Sequence, residues 1–343
     1  MNKKLISLAI AGAVATPFTA QAGSFMVGNQ DITVSGGITG AYIYSSENAT
    51  GNSNQDVFAV PDALVDFSSA AKSGGMGFTL GLGTLGENSL AHNGALTVAG
   101  GTGATTSVGV KYGWVSVMPV DGLTVDAGIL ATNVGYEVSP TYNNANMLLG
   151  LVWNAQPTYY TGARVTYSMN GMSVYGEVNK PSGAALGASG TFGPVKTAIN
   201  FFNTANSGSI VDIIVSGSAG PVDLAANIDY IMKAKAAKTT GTDDNAIGAA
   251  FYVSVKPMDK VVLPMRLEYI NDGTSGLYGL GGAGKSNTAI TFTITPTYNF
   301  TDSTFVRGEL AYVSTDKKGP YVDDKGAIKD TGYVVGAQGG VRF

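Results

Sequence analysis

Asp31-Ile32-Thr33-Val34-Ser35-Gly36-Gly37-Ile38-Thr39-Gly40-Ala41-Tyr42-Ile43-Tyr44-Ser45 alternates with a period of two. Its even positions are Ile, Val, Gly, Ile, Gly, Tyr and Tyr, whereas its odd positions are mostly Asp, Thr, Ser or Gly. Side chains of a strand alternate between faces, so a period of two gives one apolar and one polar face. The pattern returns at Val222, Leu224, Ala226, Ile228, Tyr230 and Met232, with Asp223, Asn227, Asp229 and Lys233 opposite. A tilted strand of about 10 residues is long enough to cross a bilayer.

Counting outward from these two stretches predicts about sixteen strands, the second the least regular, and an all-β transmembrane antiparallel barrel. The links between strands fall into two alternating classes. Lys72 to Gly75, Pro119 to Gly122, Asn170-Gly171, Gly193-Pro194, Gly220-Pro221, Pro257 to Lys260 and Asn299 to Ser303 are short and turn-forming. Leu85 to Ala104, Thr132 to Pro157, Asn271 to Ser286 and Thr315 to Asp330 are long. Short turns on one rim and longer loops on the other mark an outer-membrane barrel, and an even strand number places both termini on the periplasmic side. No strand edge can stay unpaired in lipid, so the last strand must pair with the first.

Composition agrees. Glycine is abundant at 48 residues and charged residues make up only 13%, a balance unlike that of a helical soluble enzyme. Mean hydropathy is positive, yet beyond the N-terminus no apolar run is long enough for a spanning helix. The absence of cysteine excludes disulfides, thiolate metal sites and thiol nucleophiles. At the N-terminus, Lys3 and Lys4, the apolar run from Leu5 to Val14 and Ala20-Gln21-Ala22 read as a signal peptide over residues 1–22, leaving a single barrel domain over 23–343. The chain has 20 basic side chains, two of them in that leader, against 24 acidic ones, which argues against a nucleic-acid partner.

Several motifs carry no chemistry in this setting. Gly81-Leu82-Gly83-Thr84-Leu85-Gly86 matches a dinucleotide fingerprint but precedes no helix, and Gly100-Gly101-Thr102-Gly103 lacks a phosphate-loop lysine. His92 is the single histidine, and Ser89 near it lies in an expected loop, so no catalytic residues are assigned and no enzyme is expected. Asp243-Asp244 and Asp323-Asp324 read as solvated loop tips rather than calcium sites. No cofactor or metal is expected.

Two groups of segments resemble a known family. Gly128-Ile129-Leu130-Ala131-Thr132-Asn133-Val134-Gly135-Tyr136-Glu137, followed by Gln156-Pro157-Thr158-Tyr159-Tyr160-Thr161-Gly162-Ala163-Arg164-Val165-Thr166-Tyr167, is similar to the central portion of the OmpL-like outer-membrane porins, the β-barrel porin-2 family. Arg266-Leu267-Glu268-Tyr269-Ile270-Asn271-Asp272-Gly273, Thr295-Pro296-Thr297-Tyr298-Asn299-Phe300 and Arg307-Gly308-Glu309-Leu310 resemble its C-terminal part. The region from Val174 to Ala250, short-looped and poor in charge, departs most from the family pattern. The resemblance implies a porin and names no solute.

A barrel of this strand number is wide enough for an aqueous channel. The expected function is passive diffusion of small hydrophilic solutes and ions; the alternative is a non-conducting barrel serving as an adhesin or surface-layer anchor. Arg164, Arg266 and Arg307, with Glu177, Glu268 and Glu309, fall on the inward faces, because a charge on the lipid face costs about 2–4 kcal/mol at mid-bilayer for Arg or Lys. Two roles are open to these arginines, an eyelet field or wall pairing with the glutamates. The link from Thr132 to Pro157, with Glu137, is a candidate for a loop folded into the barrel, since a link exceeding about 15 residues is usually functional or disordered. Its run Met147 to Trp153 reads equally well as the top of the next strand. Tyr42, Tyr112, Trp114, Tyr159, Tyr167, Tyr269, Tyr298, Tyr312 and Phe343 are expected on lipid faces as an aromatic girdle. The terminal Phe343 resembles the assembly signal read by the barrel-assembly machinery. Outer-membrane lipid, lipopolysaccharide and a homotrimer are the expected partners, and the cell outer membrane, reached through the periplasm, the expected location.

Overall fold

Alternation becomes geometry in the computed structural model, where sixteen antiparallel strands close into a barrel. The structure describes residues 23–27, 30–46, 56–86, 89–90, 108–180, 183–204, 208–233, 245–273, 277–278, 280, 287–316, 321–322 and 328–343. The leader, His92, Gly100 to Gly103 and the two aspartate pairs lie outside them. The first half comprises β1 (Gln30–Ser45), β2 (Asp56–Ala59 and Asp62–Ser69), β3 (Gly75–Leu85), β4 (Gly109–Val120), β5 (Leu123–Ala131), β6 (Tyr159–Met169), β7 (Met172–Asn179) and β8 (Gly183–Phe192). The second comprises β9 (Val195–Thr204), β10 (Gly208–Ala219), β11 (Val222–Lys233), β12 (Asn245–Met258), β13 (Val261–Asn271), β14 (Thr288–Ile294 and Thr297–Asn299), β15 (Thr304–Thr315) and β16 (Thr331–Arg342).

Closure runs from Gly37 opposite Arg342 to Ser45 opposite Val334. Below Gly37 the edge of β1 has no partner in β16, and a ribbon the alternation did not predict, Gly23–Val27, supplies one by pairing with Gln30 to Val34. The irregularity of β2 has a local cause at Pro61, and β14 is interrupted likewise at Pro296, since proline offers no N–H to a ladder. At the second break Gly308 still donates to the Pro296 carbonyl at 3.0 Å. The turn Asn170-Gly171 has positive φ at both residues, 53° and 78°, matching the strand twist of a two-residue hairpin.

Outward positions carry the apolar band, including Leu267, Tyr269, Phe292, Leu310 and Tyr312, and inward ones carry Arg266, Glu268, Thr291, Thr293, Arg307 and Glu309. Of the expected girdle, Tyr167, Tyr269, Tyr298, Tyr312 and Phe343 are exposed. Tyr112 is not: it is buried, donates its hydroxyl to Asp66 and stacks on Tyr159 with ring centroids 4.9 Å apart, with Trp114 beside it at 6.0 Å. Gly81, its partner across β3, makes this possible, since a Cβ there would come within 2.5 Å of the Tyr112 ring.

An arginine at Leu267, on the outward face midway along β13, should destabilise the barrel in lipid vesicles by about 2–4 kcal/mol, measured by urea titration. A cost near zero would place that face in water.

Candidate functional site

After Ala131 the chain turns into the barrel and follows the inner wall before re-emerging at Tyr159. Residues 132–157 contain two short 3-10 turns, Thr141–Asn143 and Val152–Ala155. The apolar run is therefore not the top of a strand. Met147, Leu148, Leu149, Leu151 and Val152 are each no more than 1% exposed. Met147, Leu148, Leu151 and Val152 share one cluster with Ile43, Ile270, Ala311, Val313, Val334, Tyr278 and Leu280. Side chains with no reason to face water outside the cell have found a dry surface inside the barrel.

The loop's backbone polar groups must then be satisfied by the wall, and the predicted charges do this. Glu309 accepts the N–H groups of Met147 at 2.5 Å and Leu148 at 3.1 Å, and Glu268 accepts that of Val152 at 2.9 Å. Arg266 donates to the Leu148 carbonyl at 2.8 Å and pairs with Glu137 at 2.5 Å and with Glu268 at 3.3 Å. Glu137, on the loop, also accepts the N–H of Gly150 at 2.7 Å. Arg307 donates to the carbonyls of Thr141 at 3.0 Å and Asn144 at 2.8 Å, and to Gln338 Oε1 at 2.7 Å. Along the loop the wall thus presents donor, acceptor, donor and acceptor in turn, from Arg307, Glu309, Arg266 and Glu268. Gly150 lies so close to Glu268 that a Cβ would come within 2.3 Å of its carboxylate.

Arg164 stands apart from this group. Its Nε bonds Glu177 at 2.7 Å, and its terminal nitrogens reach the Ala131 carbonyl at 2.8 Å and the Tyr160 hydroxyl at 2.9 Å, pinning the start of the loop. A second anchor, which the sequence reading missed, lies on β9 to β11. Asn200 donates to the Asn133 carbonyl at 2.8 Å, Tyr136 N–H donates to Asn227 Oδ1 at 3.2 Å, and Gln156 donates to Asn227 and Asp229 at 2.9 and 2.7 Å. A third is Asp62, which accepts hydroxyls of Thr39 at 3.3 Å and of Thr141. Charges at every second residue could be read as inward-facing; their partners, up to 166 residues away, could not.

Beneath the loop, toward the rim of short turns, is a cavity of about 180 Å³ that opens to solvent. Tyr142, Asn144 and Ala145 roof it, and its charged lining is Asp223, Asp259 and Asp302 against Lys256, Arg307 and Arg342. Among the described residues no cluster of three or more His, Cys, Asp or Glu side chains could hold a metal ion.

A closed sixteen-strand barrel with an apolar exterior and a polar inner wall carrying an inserted loop defines an outer-membrane protein of the porin architecture. The chain belongs to the family described as "Putative beta-barrel porin-2, OmpL-like", whose sequence model matches residues 31–343. Among solved structures it is similar to in-vitro folded OmpT of Vibrio cholerae, at 10% identity and a TM-score of 0.64 over 93% of this chain and 99% of that one. It is also similar to OmpF of Salmonella typhi in complex with daunomycin, at 10% identity and a TM-score of 0.64 over 94% and 100%. A third likeness is to an anion-selective porin from Comamonas acidovorans, at 11% identity and a TM-score of 0.61 over 92% and 100%. At these identities the likeness concerns the fold. No curated protein matches the sequence.

Glu309→Ala orphans two buried loop amides, at about 1–3 kcal/mol each. The expected result is a barrel that still folds but is cut by protease within 132–157 at concentrations that leave the parent intact. Equal resistance would show that the apolar cluster alone holds the loop.

Proposed function

We propose that the mature chain, residues 23–343 after loss of the leader, is a diffusion channel for small hydrophilic solutes and ions, narrowed by the 132–157 loop. The observation that carries this reading is the loop itself, bonded by its backbone to the β13 and β15 charges inside a barrel wide enough for water. A narrowing inside the wall sets size and charge limits without closing the barrel, which is what selective diffusion needs. The family and the fold are those of porins, and passage through a pore involves no bond-making step. In this reading the short turns and both termini face the periplasm, the apolar band meets outer-membrane lipid, the longer loops meet lipopolysaccharide, and Phe343 serves as the signal to the assembly machinery. Association as a homotrimer is consistent with a Vibrio cholerae OmpT structure described as a trimer form.

One observation favours the second reading, a non-conducting barrel that anchors an adhesin or surface layer. The cluster of Met147, Leu148, Leu151 and Val152 with Ile270, Tyr278 and Leu280 fills part of the lumen with apolar side chains. The readings part in planar bilayers. Refolded protein without the leader should insert as discrete, salt-dependent conductance steps, whereas a heat-modifiable folded barrel that never conducts would establish the anchor.

A further inference from the structure

The loop does not cover the wall evenly. Apart from Arg164 on β6, which holds its start, its hydrogen bonds to the wall fall on an arc from β9 through β16 to β2, at residues such as Asn200, Asp229, Arg266, Arg307, Glu309 and Asp62. Under that arc the wall is sealed: Asp212, Asp229, Arg266, Thr291 and Thr293 have no exposed surface. On β2 to β7 the inward side chains Asp66, Thr79, Ser116, Asp126, Thr166 and Tyr175 stay partly accessible. A water path past the loop therefore has this second arc as its polar side.

The charges of the two arcs are in different states. Arg266 is engaged by the Leu148 carbonyl, Glu137 and Glu268, and Arg307 by the carbonyls of Thr141 and Asn144 and by Gln338, so both guanidinium groups are held against the loop. On the β2 to β7 arc, among the described residues, Asp66 accepts the Tyr112 hydroxyl and Asp126 accepts the Ser116 hydroxyl at 2.5 Å, and neither is in an ion pair. Asp126 lies in register with Arg164, which is itself in register with Glu177 on its other side, so that row has two carboxylates to one guanidinium. Lys111 stands at the register shift beside Gly81, outside the paired rows. In the cavity below, three carboxylates face three cations and add no sign of their own.

Two buried oxygens on the same side give an independent indication. Asp62 Oδ1 and the Tyr142 hydroxyl have no hydrogen-bond partner among the described residues, and both residues are under 4% exposed. Tyr142 is on the loop, and its phenol is pushed up by burial and then by the charges of Asp66 and Asp62, which places it against both. Its ring covers Gly37, where a Cβ would approach to 2.9 Å. Both oxygens are shut away from solvent and touch no permeating ion; their unused lone pairs, beside carboxylates, add to the negative potential on this side of the lumen.

We propose that the channel prefers cations, and that Asp66 and Asp126 on the partly accessible β2 to β7 wall, rather than the arginines, set this preference. The inference rests on the pore reading above. It identifies the favoured ions as small cations, with inorganic anions disfavoured.

Reversal potentials across a KCl gradient test it with the refolded protein. The parent should show potassium over chloride, and Asp66→Asn and Asp126→Asn should each lower the permeability ratio by about two- to fivefold, the size expected of a unit charge acting through water at contact range. Asp66→Glu, which keeps the charge, should leave the sign unchanged and controls for disturbed packing around Tyr112. A parent channel selective for chloride, or a conducting double Asn variant with the parent's ratio, overturns the assignment while leaving the pore intact. A folded parent that conducts nothing removes the pore reading itself, and this assignment with it.

Discussion

A strand edge in lipid has nothing to hydrogen-bond with, and this constraint governs the rest of the molecule. It forces β16 onto β1, and it accounts for the Gly23–Val27 ribbon, which covers the part of β1 that β16 does not reach. Closure in turn gives every strand two environments. The exterior must be apolar because charges there are costly, so charged side chains accumulate on the interior. Arg266, Glu268, Arg307 and Glu309 face inward because they have nowhere else to go.

Those inward charges would be expensive if left unpaired in a narrow space, and the loop resolves the problem while creating the narrowing. Its carbonyls meet the guanidinium groups and its N–H groups meet the carboxylates, so each side satisfies the other. The apolar run from Met147 to Val152 adds area burial against Ile270, Val313 and Val334. The arginines that first suggest an eyelet are thus part of the loop's attachment.

The strands were legible because a period of two survives any tertiary context that keeps one face in lipid. Leu123–Ala131, Met172–Asn179, Val195–Thr204 and Val222–Lys233 lie where alternation puts them. The reading failed where geometry and not period decides. Tyr112 alternates like a lipid-facing residue, yet a register shift between Gly81 and Leu82 and the bare Gly81 opposite bring its ring indoors. The attachment residues were visible as inward charges but not as loop anchors, because Glu137 and Arg266 are 129 positions apart and no local pattern links them. The run Met147 to Trp153 did carry a signal, since a segment so apolar inside a long polar link needs a surface to bury against.

Residues 132–157 run inside the lumen against the wall, and a crosslink tests that placement. The protein has no cysteine, so Met147→Cys with Gly336→Cys gives a lone thiol pair at a point where the Met147 methyl would touch a Cβ on Gly336. Mild oxidation of the folded, membrane-embedded barrel should join the two quantitatively and leave its single-channel conductance at the value measured before oxidation. A folded barrel whose two thiols stay reduced and react freely with a water-soluble maleimide would contradict the account.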